Sequence, residues 1–243
     1  MSSPDKANLH NLFTYWQALG AETSPGTSPP ARQSTHWPRR IWLDLTEQLP
    51  EAAWILSAME RMGPGWLFPL WRSDSADGQH LLATLLDAGL GIALEQRAMY
   101  AKTTQLYPPP PEPSLDMSTA MSDEEIAIWT RTCAEAFGYP IQIQPIKRLS
   151  ADPQARIQLA RIEGEPAGTV VLYRTGSVLG VHSLGVTPAF RGQGLARRLM
   201  HFVIHQAMQS RDTMITLQAS GMGLPLYKSL GFSEQFSITS LSL

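Results

Sequence analysis

The chain has 243 residues, of which 43% are hydrophobic and 16% are charged, with a formal net charge of −2 at pH 7. This composition is ample for a packed core in one large or two small domains, and it argues against a protein that binds nucleic acid through a basic face. The sequence shows no run of 18 apolar residues and no apolar signal segment, and its single cysteine, Cys133, excludes an internal disulfide and predicts a reducing, cytoplasmic setting.

The first half of the sequence has a mixed pattern that ends in a proline-rich connector. Its apolar periodicity predicts strands at 40–45, 66–71 and 91–103, helices at 51–62 and 79–88, and a loop at 24–34. Six of the seven tryptophans precede residue 72, so this half must bury its own aromatic core or dock on its neighbour. Five prolines within 108–113 predict a stiff linker between an N-terminal α/β domain, 1–107, and a second domain, 114–243.

The second half alternates strands and helices. A capping box formed by Ser122 and Glu125 predicts a helix that ends at Gly138. The other predicted elements are strands at 115–119, 156–162, 167–174, 178–186, 214–219 and 233–243, a helix beginning at 195, and a short helix at 224–230.

A tight basic-glycine turn, residues 191–194, separates the predicted strand 178–186 from an amphipathic helix. The first backbone N–H groups of a helix have no partner within it, and the aligned peptide dipoles place roughly +0.5 charge there. Because Gly192 and Gly194 lack a Cβ, a diphosphate can approach the backbone closely. The turn lacks the Lys-Ser/Thr of a Walker loop and the third glycine of a dinucleotide loop, so it predicts a different kind of anion site.

Two segments carry a resemblance to a known family. Residues 191–196, Arg-Gly-Gln-Gly-Leu-Ala, resemble the Gln/Arg-x-x-Gly-x-Gly/Ala loop of the GNAT superfamily of acyl-CoA N-acyltransferases, and residues 226–232 resemble its Leu-Tyr-x-x-Leu-Gly-Phe segment. The resemblance covers about residues 115–243. It implies a mixed α/β (α+β) fold with a mostly antiparallel sheet flanked by helices. The N-terminal half would then be either a separate α/β domain or a degenerate copy of the same domain.

The resemblance also implies a function and its residues. The chain would transfer an acetyl group from acetyl-CoA to a primary amine of a small molecule or peptide. We expect no metal to take part, and the composition and hydropathy described above predict neither a membrane nor nucleic acid as a partner. Tyr227 would be the general acid that protonates the leaving thiolate. The cofactor-binding residues would be Leu184, Gly185, Val186, Arg191, Gly192, Gln193, Gly194, Leu195, Ala196 and Ser220. The first three would pair with the pantetheine arm and turn an N–H toward the thioester carbonyl. Arg191 could serve the diphosphate by its backbone only, with its side chain in solvent.

Several points stay open in the sequence. Ser220 stands where many members have Asn, and Gln218, the nearest polar residue to the position where some members have a Glu base, accepts protons poorly. His182 could act as the base, directly or through water, or be a structural residue. Arg197 and Arg198 could meet the 3′-phosphate or be solvated.

The remaining open points concern the protein as a whole. His201 and His205 have a metal-compatible spacing on one helix but no evident third ligand. A non-catalytic acyl-CoA-binding or partner-binding module with this fold is the rival function. A third possibility, an assembly module that uses the Trp-rich half, is compatible with either function, and a homodimer is possible.

Overall fold

The computed structural model describes residues 2–43, 49–107 and 115–243. The end of the predicted strand 40–45 and the predicted linker 108–113 lie outside the described residues. The helices are α1 (Ser3–Ala18), α2 (Ala52–Met62), α3 (Ala76–Asp87), α4 (Asp123–Phe137), α5 (Ile143–Ser150), α6 (Leu195–Gln209) and α7 (Leu224–Ser229). The strands are β1 (Glu22–Ser24), β2 (Ala31–Ser34), β3 (Arg40–Leu43), β4 (Phe68–Trp71), β5 (Gly91–Lys102), β6 (Asp116–Thr119), β7 (Ala155–Ile162), β8 (Glu165–Thr175), β9 (Val178–Val186), β10 (Met214–Ser220) and β11 (Ser233–Ser242).

The chain forms two compact units. One contains residues 1–99, 218–228 and 232–243, and the other contains residues 100–217 and 229–231. The C-terminal strand β11 therefore belongs to the same unit as the first half of the sequence. No helix among the described residues is long and apolar enough to cross a bilayer.

The first unit is built on two sheets and their helices. β1, β2 and β3 form an antiparallel three-stranded sheet, and β4, β11, β5 and the end of β10 follow one another in the larger sheet. β11 pairs antiparallel with β4, from Ile238↔Trp71 to Leu241↔Phe68. The core between these strands, α2 and α3 contains Ile41, Ile55, Met59, Phe68, Leu70, Leu85 and Leu241.

An aromatic cluster buries Trp16 and Trp42 within this unit, whereas the other four tryptophans that precede residue 72 are half-buried. The Trp16 and Trp42 rings meet edge to face with centroids 4.8 Å apart, and Phe13 and Trp71 pack against Trp16. Trp42 is fully buried, and the Arg40 guanidinium lies 4.5 Å from the centroid of the Trp16 ring. Such stacking joins apolar burial with a cation–π contact.

The second unit contains a twisted sheet in the order β10, β9, β8, β7, β6, in which all pairs are antiparallel except β9 with β10. A Cβ on Gly185 would meet Ala136 and Phe137 of α4, whereas a Cβ on Gly168 would meet Leu195 and Leu199 of α6. Since Leu184 and Val186, the neighbours of Gly185, pack with Leu195 and Leu199, α4 and α6 cover opposite faces of the sheet. The predicted fold class, a mixed α/β protein with a mostly antiparallel sheet flanked by helices, is confirmed.

Three local predictions were wrong or incomplete. The segment 24–34, predicted as a loop, begins with the last residue of β1 and ends in β2. α1 and α5 were not predicted, although Ser2 and Asp5 form a capping box at the start of α1. The predicted strands 156–162 and 167–174 are confirmed as β7 and β8, and the strand 178–186 has the predicted limits.

Candidate active site

The second unit offers one edge of β9 to an extended ligand. β9 pairs with β8 along its length, from Thr175↔Val178 to Gly168↔Val186. On the other side, β10 pairs with it only from Met214↔Val178 to Leu217↔Val181. Within the described residues of this unit, no strand pairs with residues 184–186 on that side. We call this segment the open edge of β9, because its backbone groups can add a further strand.

A β-bulge lies immediately before the open edge. The β8–β9 register shifts between Thr169 and Val171, and Ser183 has a φ of 50°. The Thr169 hydroxyl donates to the Ser183 carbonyl oxygen at 3.0 Å. Bulges re-aim the residues that follow them and are common beside active sites. A serine in left-handed backbone has no sequence signal, so this feature was not predicted.

The side chains along this segment are structural. Leu184 and Val186 pack against Leu195, Leu199 and Ala167 beneath α6. Leu195 is only 3% exposed, so it too is a core residue. These three predicted cofactor residues can therefore serve a ligand chiefly through their backbone groups.

The glycine loop leads from β9 into α6. Gly192 and Gly194 have φ values of 74° and 77°, and a Cβ built on either would meet nothing within 4 Å. The first turn of α6 closes where the N–H groups of Arg197 and Arg198 donate to the Gly194 carbonyl, at 3.0 and 3.2 Å. The loop thus presents an approachable, positively polarised backbone at the start of a 15-residue helix.

The Arg191 side chain is exposed, as expected, but it also makes hydrogen bonds within the unit. Its Nε donates to the Val186 carbonyl at 3.2 Å and its Nη2 to the Ala136 carbonyl at 2.8 Å. Ala136 lies in the last turn of α4, where a helix carries partial negative charge, so a cation is stabilised there. Arg191 therefore connects the loop to the end of β9 and to α4.

Two other polar side chains of the loop region also have partners in this unit. Gln193 donates from Nε2 to the Ala189 carbonyl at 3.1 Å. Arg197 donates from Nη2 to the Ser229 hydroxyl at 2.9 Å. Arg197 is therefore not a merely solvated charge, and a 3′-phosphate would have to compete with Ser229 for it.

Gly185 allows α4 to approach β9. A Cβ at this position would lie 2.8 Å from Ala136 Cβ and 3.2 Å from Phe137 Cε2, so the helix would have to move. We expect Gly185→Ala to lower the free energy of unfolding by about 1–3 kcal/mol, as overpacked cores do. Gly91→Ala is the control, because its Cβ would meet nothing within 4 Å and its backbone is not left-handed. Chemical denaturation measures both, and equal stability of the two variants would contradict the close approach.

The first unit contains the other two predicted site residues. Tyr227 is 8% exposed and its ring meets that of Phe232, with centroids 6.0 Å apart. Burial raises the pKa of Tyr227 to about 12, so the phenol keeps its proton at neutral pH. The Gly223 N–H donates to the Ser220 hydroxyl at 3.3 Å, and a Cβ on Gly223 would lie 2.9 Å from Tyr227 Cε2. Ser220, Gly223 and Tyr227 thus form one tight group.

Burial shifts the pKa values of the candidate base His182 and the candidate nucleophile Cys133. His182 is 5% exposed, and desolvation lowers its pKa to about 3, so it accepts a proton poorly at neutral pH. Burial raises the pKa of the Cys133 thiol to about 12, which disfavours the nucleophilic thiolate. In the part of the chain that the structure describes, no group of three or more His, Cys, Asp or Glu residues could hold a metal ion.

Comparisons with known proteins bear on the family of this chain. A family model described as "Acetyltransferase (GNAT) domain" matches residues 117–239, just over half of the chain. A search of curated proteins finds no match. A GCN5-related N-acetyltransferase from Kribbella flavida is similar over 97% of this chain and 94% of its own, with a TM-score of 0.70 at 15% identity.

Two further structures show the same likeness. A functionally unknown conserved protein from Staphylococcus epidermidis has a TM-score of 0.65 at 14% identity, over 92% of this chain and 94% of its own. A GCN5-related N-acetyltransferase from Sphaerobacter thermophilus has a TM-score of 0.60 at 19% identity, over 78% of this chain and 64% of its own. At these identities the likeness is one of fold, and the family model adds the sequence evidence. The chain therefore belongs to the GNAT acetyltransferase family, whose members transfer an acyl group from acyl-CoA to an amine.

Proposed function

We propose that this protein transfers the acetyl group of acetyl-CoA to a primary amine on a small molecule or peptide. The proposal rests on one observation, that two backbone features follow each other closely along the second unit. The open edge of β9 is followed, within a few residues, by the glycine loop at the start of α6. The first can pair with an extended pantetheine arm, and the second can bind a diphosphate.

The backbone would do most of the work of holding acetyl-CoA. The N–H groups around Gly192–Ala196 would bind the diphosphate, with Gly192 and Gly194 allowing its close approach. The groups of Leu184, Gly185 and Val186 would pair with the pantetheine arm, and one N–H there would polarise the thioester carbonyl. Such a donor lowers a barrier by about 3–4 kcal/mol. Ser220 would supply a hydroxyl to the cofactor in place of the more common Asn.

We propose direct transfer, in which the amine nitrogen attacks the thioester carbon, the C–S bond breaks, and the thiolate takes a proton from Tyr227. The proton that the nitrogen loses then returns to the Tyr227 phenolate through water, so that the products are the amide and the CoA thiol. A phenol with a pKa of about 12 holds that proton at neutral pH. The high pKa of buried Cys133, the single cysteine, argues against an acyl-cysteine intermediate. Cys133 is a free, buried thiol, which is also compatible with the cytoplasmic location that we propose.

Removal of the proton from the attacking amine has two open routes. His182 is the candidate base on β9, although its pKa of about 3 makes it weak. The alternative is loss of the proton to water, before the amine binds or during transfer. The two routes differ in their pH dependence, since the second follows the pKa of the free amine.

The rival function is an acyl-CoA-binding or partner-binding module without turnover, which the replacement of Asn by Ser220 and the weak base favour. The two are separated by following CoA release from acetyl-CoA with and without propylamine, a diamine, and a peptide that has a free α-amino group and a lysine. Amine-dependent CoA release with formation of the acetylated amine would support the enzyme. Tight acetyl-CoA binding without any amine-dependent release would support the binding module.

We further propose that the second domain, 114–243, depends on the first, 1–107. Residues 218–228 and 232–243 cluster with the first 99 residues. A fragment beginning at residue 113 would leave β11 without β4 and Leu241, which is fully buried, without Phe68. We expect this fragment to be poorly soluble and weakly active, because it exposes an apolar strand edge. A soluble monomeric fragment with full acetyl-CoA binding and transfer, judged by size-exclusion chromatography and the same assay, would contradict this dependence.

A further inference from the structure

Four polar side chains form a continuous chain of hydrogen bonds within the first unit. Gln235 Nε2 donates to Asp5 Oδ1 at 3.0 Å, and Asn8 Nδ2 donates to Gln235 Oε1 at 2.5 Å. Gln218 Nε2 then donates to Asn8 Oδ1 at 2.6 Å. These bonds join α1 to β10 and β11, across sequence separations of 210 and 227 residues. We call these four residues the amide relay.

The amide relay is anchored at two groups, the Asp5 carboxylate and the Met99 backbone carbonyl, which accept hydrogen bonds and cannot donate them. Asp5 is a carboxylate, so Gln235 must turn its NH₂ group toward it and its carbonyl oxygen toward Asn8. Asn8 Nδ2 also donates to the Met99 backbone carbonyl at 3.0 Å, and Asn8 is fully buried. Each anchor therefore independently requires Asn8 to present its oxygen to Gln218. The Gln218 carboxamide must then direct its NH₂ group toward Asn8 and its carbonyl oxygen away from Asn8.

Gln218 lies on the face of β10 that also carries Ser220, a proposed cofactor-binding residue. Within the described residues no group donates to Gln218 Oε1, and the side chain is only half-buried. Successive residues of a strand alternate between faces, so Gln218 shares its face with Ser220, two residues along. Ser220 in turn forms the tight group with Gly223 and Tyr227 described above. The position of Gln218 on the strand is itself held by Gln96, whose Nε2 donates to the Gln218 backbone carbonyl at 3.3 Å.

We propose that Gln218 Oε1 accepts a hydrogen bond from the N–H of the acceptor amine, and that Asn8 and Gln235 are positioning residues that hold this oxygen outward. The inference rests on the proposed function. A primary amine that attacks through its lone pair keeps N–H bonds that can be directed at such an acceptor. A neutral carboxamide suits this task, because a carboxylate in its place would stabilise the ammonium form and oppose loss of the proton.

The first test compares Gln218→Met with the unaltered protein. The substitution keeps the length of the side chain and removes the acceptor oxygen. With the amine that gives the fastest CoA release in the panel above, we expect the KM for the amine to rise about five- to tenfold, the loss expected for one hydrogen bond. The KM for acetyl-CoA should change less than twofold. An unchanged KM for the amine in an active, folded variant would overturn the inference.

A second set of variants separates positioning from stability. Asn8→Ala removes the partner of Gln218 Nε2, so the carboxamide can rotate, and we expect the KM for the amine to rise at least about threefold. Asn8→Asp loses both bonds that Asn8 donates, so it should be the least stable variant. Because it still accepts from Gln218 Nε2, it should recover most of the amine affinity that Asn8→Ala loses. Asn11→Ala, at another fully buried asparagine of α1, controls for the removal of a buried amide. If the KM simply ranks with thermal stability across these variants, the positioning role is wrong.

A binding measurement distinguishes failure of the inference from failure of the proposed function. The side-chain amide signal of Gln218 in ¹⁵N-labelled protein, assigned by its loss in Gln218→Met, is followed while propylamine is added with CoA present. A saturable shift in the unaltered protein, much reduced in Asn8→Ala, supports the contact even if no transfer occurs. Transfer without any shift of this signal overturns the inference and leaves the proposed function standing. Absence of both transfer and shift contradicts both.

Discussion

Gly194→Asp is expected to abolish acetyl-CoA binding in isothermal titration, where the unaltered protein should bind one acetyl-CoA per chain. Gly194 is the N-cap of α6, with a φ of 77° and open space where a Cβ would be. Aspartate is a favoured N-cap residue, so its carboxylate would accept the N–H groups that a diphosphate needs while the helix itself survives. Its negative charge would also repel the diphosphate directly.

Gly176→Asp is the matched control for this variant. Gly176 also has a left-handed backbone, with a φ of 60°, and open space at the Cβ position, and it lies in the turn at the opposite end of β9. The control carries the same charge change and a similar backbone penalty, so acetyl-CoA affinity should stay within about twofold of the unaltered protein. Undiminished affinity in Gly194→Asp, or an equal loss in both variants, would show that the glycine loop does not bind the diphosphate.

Tyr227→Phe is expected to lower kcat about 100-fold while the affinity for acetyl-CoA is kept. The substitution preserves the ring that packs on Phe232 and removes the phenol that would protonate the thiolate. Since burial raises the pKa of Tyr227 to about 12, its acid form persists throughout the usual assay range, and no loss of rate between pH 7 and 10 should arise from its ionisation. Steady-state kinetics over that range, with titration calorimetry for affinity, test the assignment.

Tyr173→Phe controls for the removal of a buried phenol. Tyr173 is 3% exposed, its hydroxyl donates to Asp152 at 3.0 Å, and burial raises its pKa as well. Its loss should lower stability by about 1 kcal/mol, as for a typical hydrogen bond, without changing kcat. A change of less than threefold in kcat for Tyr227→Phe would assign Tyr227 to packing alone.

The sequence predicted best where local chemistry and burial agree. The strand 178–186 has the predicted limits because a continuous apolar run ends at Pro188, and the capping box at Ser122 marks the start of α4. β1 and β2 were missed because Gly, Pro, Ser and Thr dominate their surroundings, and because β2 is a strand only through its pairing with β1 and β3, where Arg32 lies opposite Trp42. α1 has a weak apolar periodicity, since buried Asn8 and Asn11 interrupt its apolar face.

The candidate site divides in the same way. The glycines and the phenol were visible as a motif, whereas their surroundings depend on long-range contacts. The bulge at Ser183 is stabilised by Thr169 from another strand, and the Arg191 side chain binds Ala136, 55 residues away. The amide relay joins Asn8 to Gln218 across 210 positions of the chain, and nothing in the local sequence of either residue signals that pairing.

A crystal structure of the full chain with acetyl-CoA tests the central claim most directly. We predict that the diphosphate lies against the backbone N–H groups of Gly192–Ala196, and that the pantetheine arm pairs with the backbone of Leu184–Val186 on the side of β9 away from β8. Electron density for acetyl-CoA at any other place, with the glycine loop and this edge both unoccupied, would contradict the account.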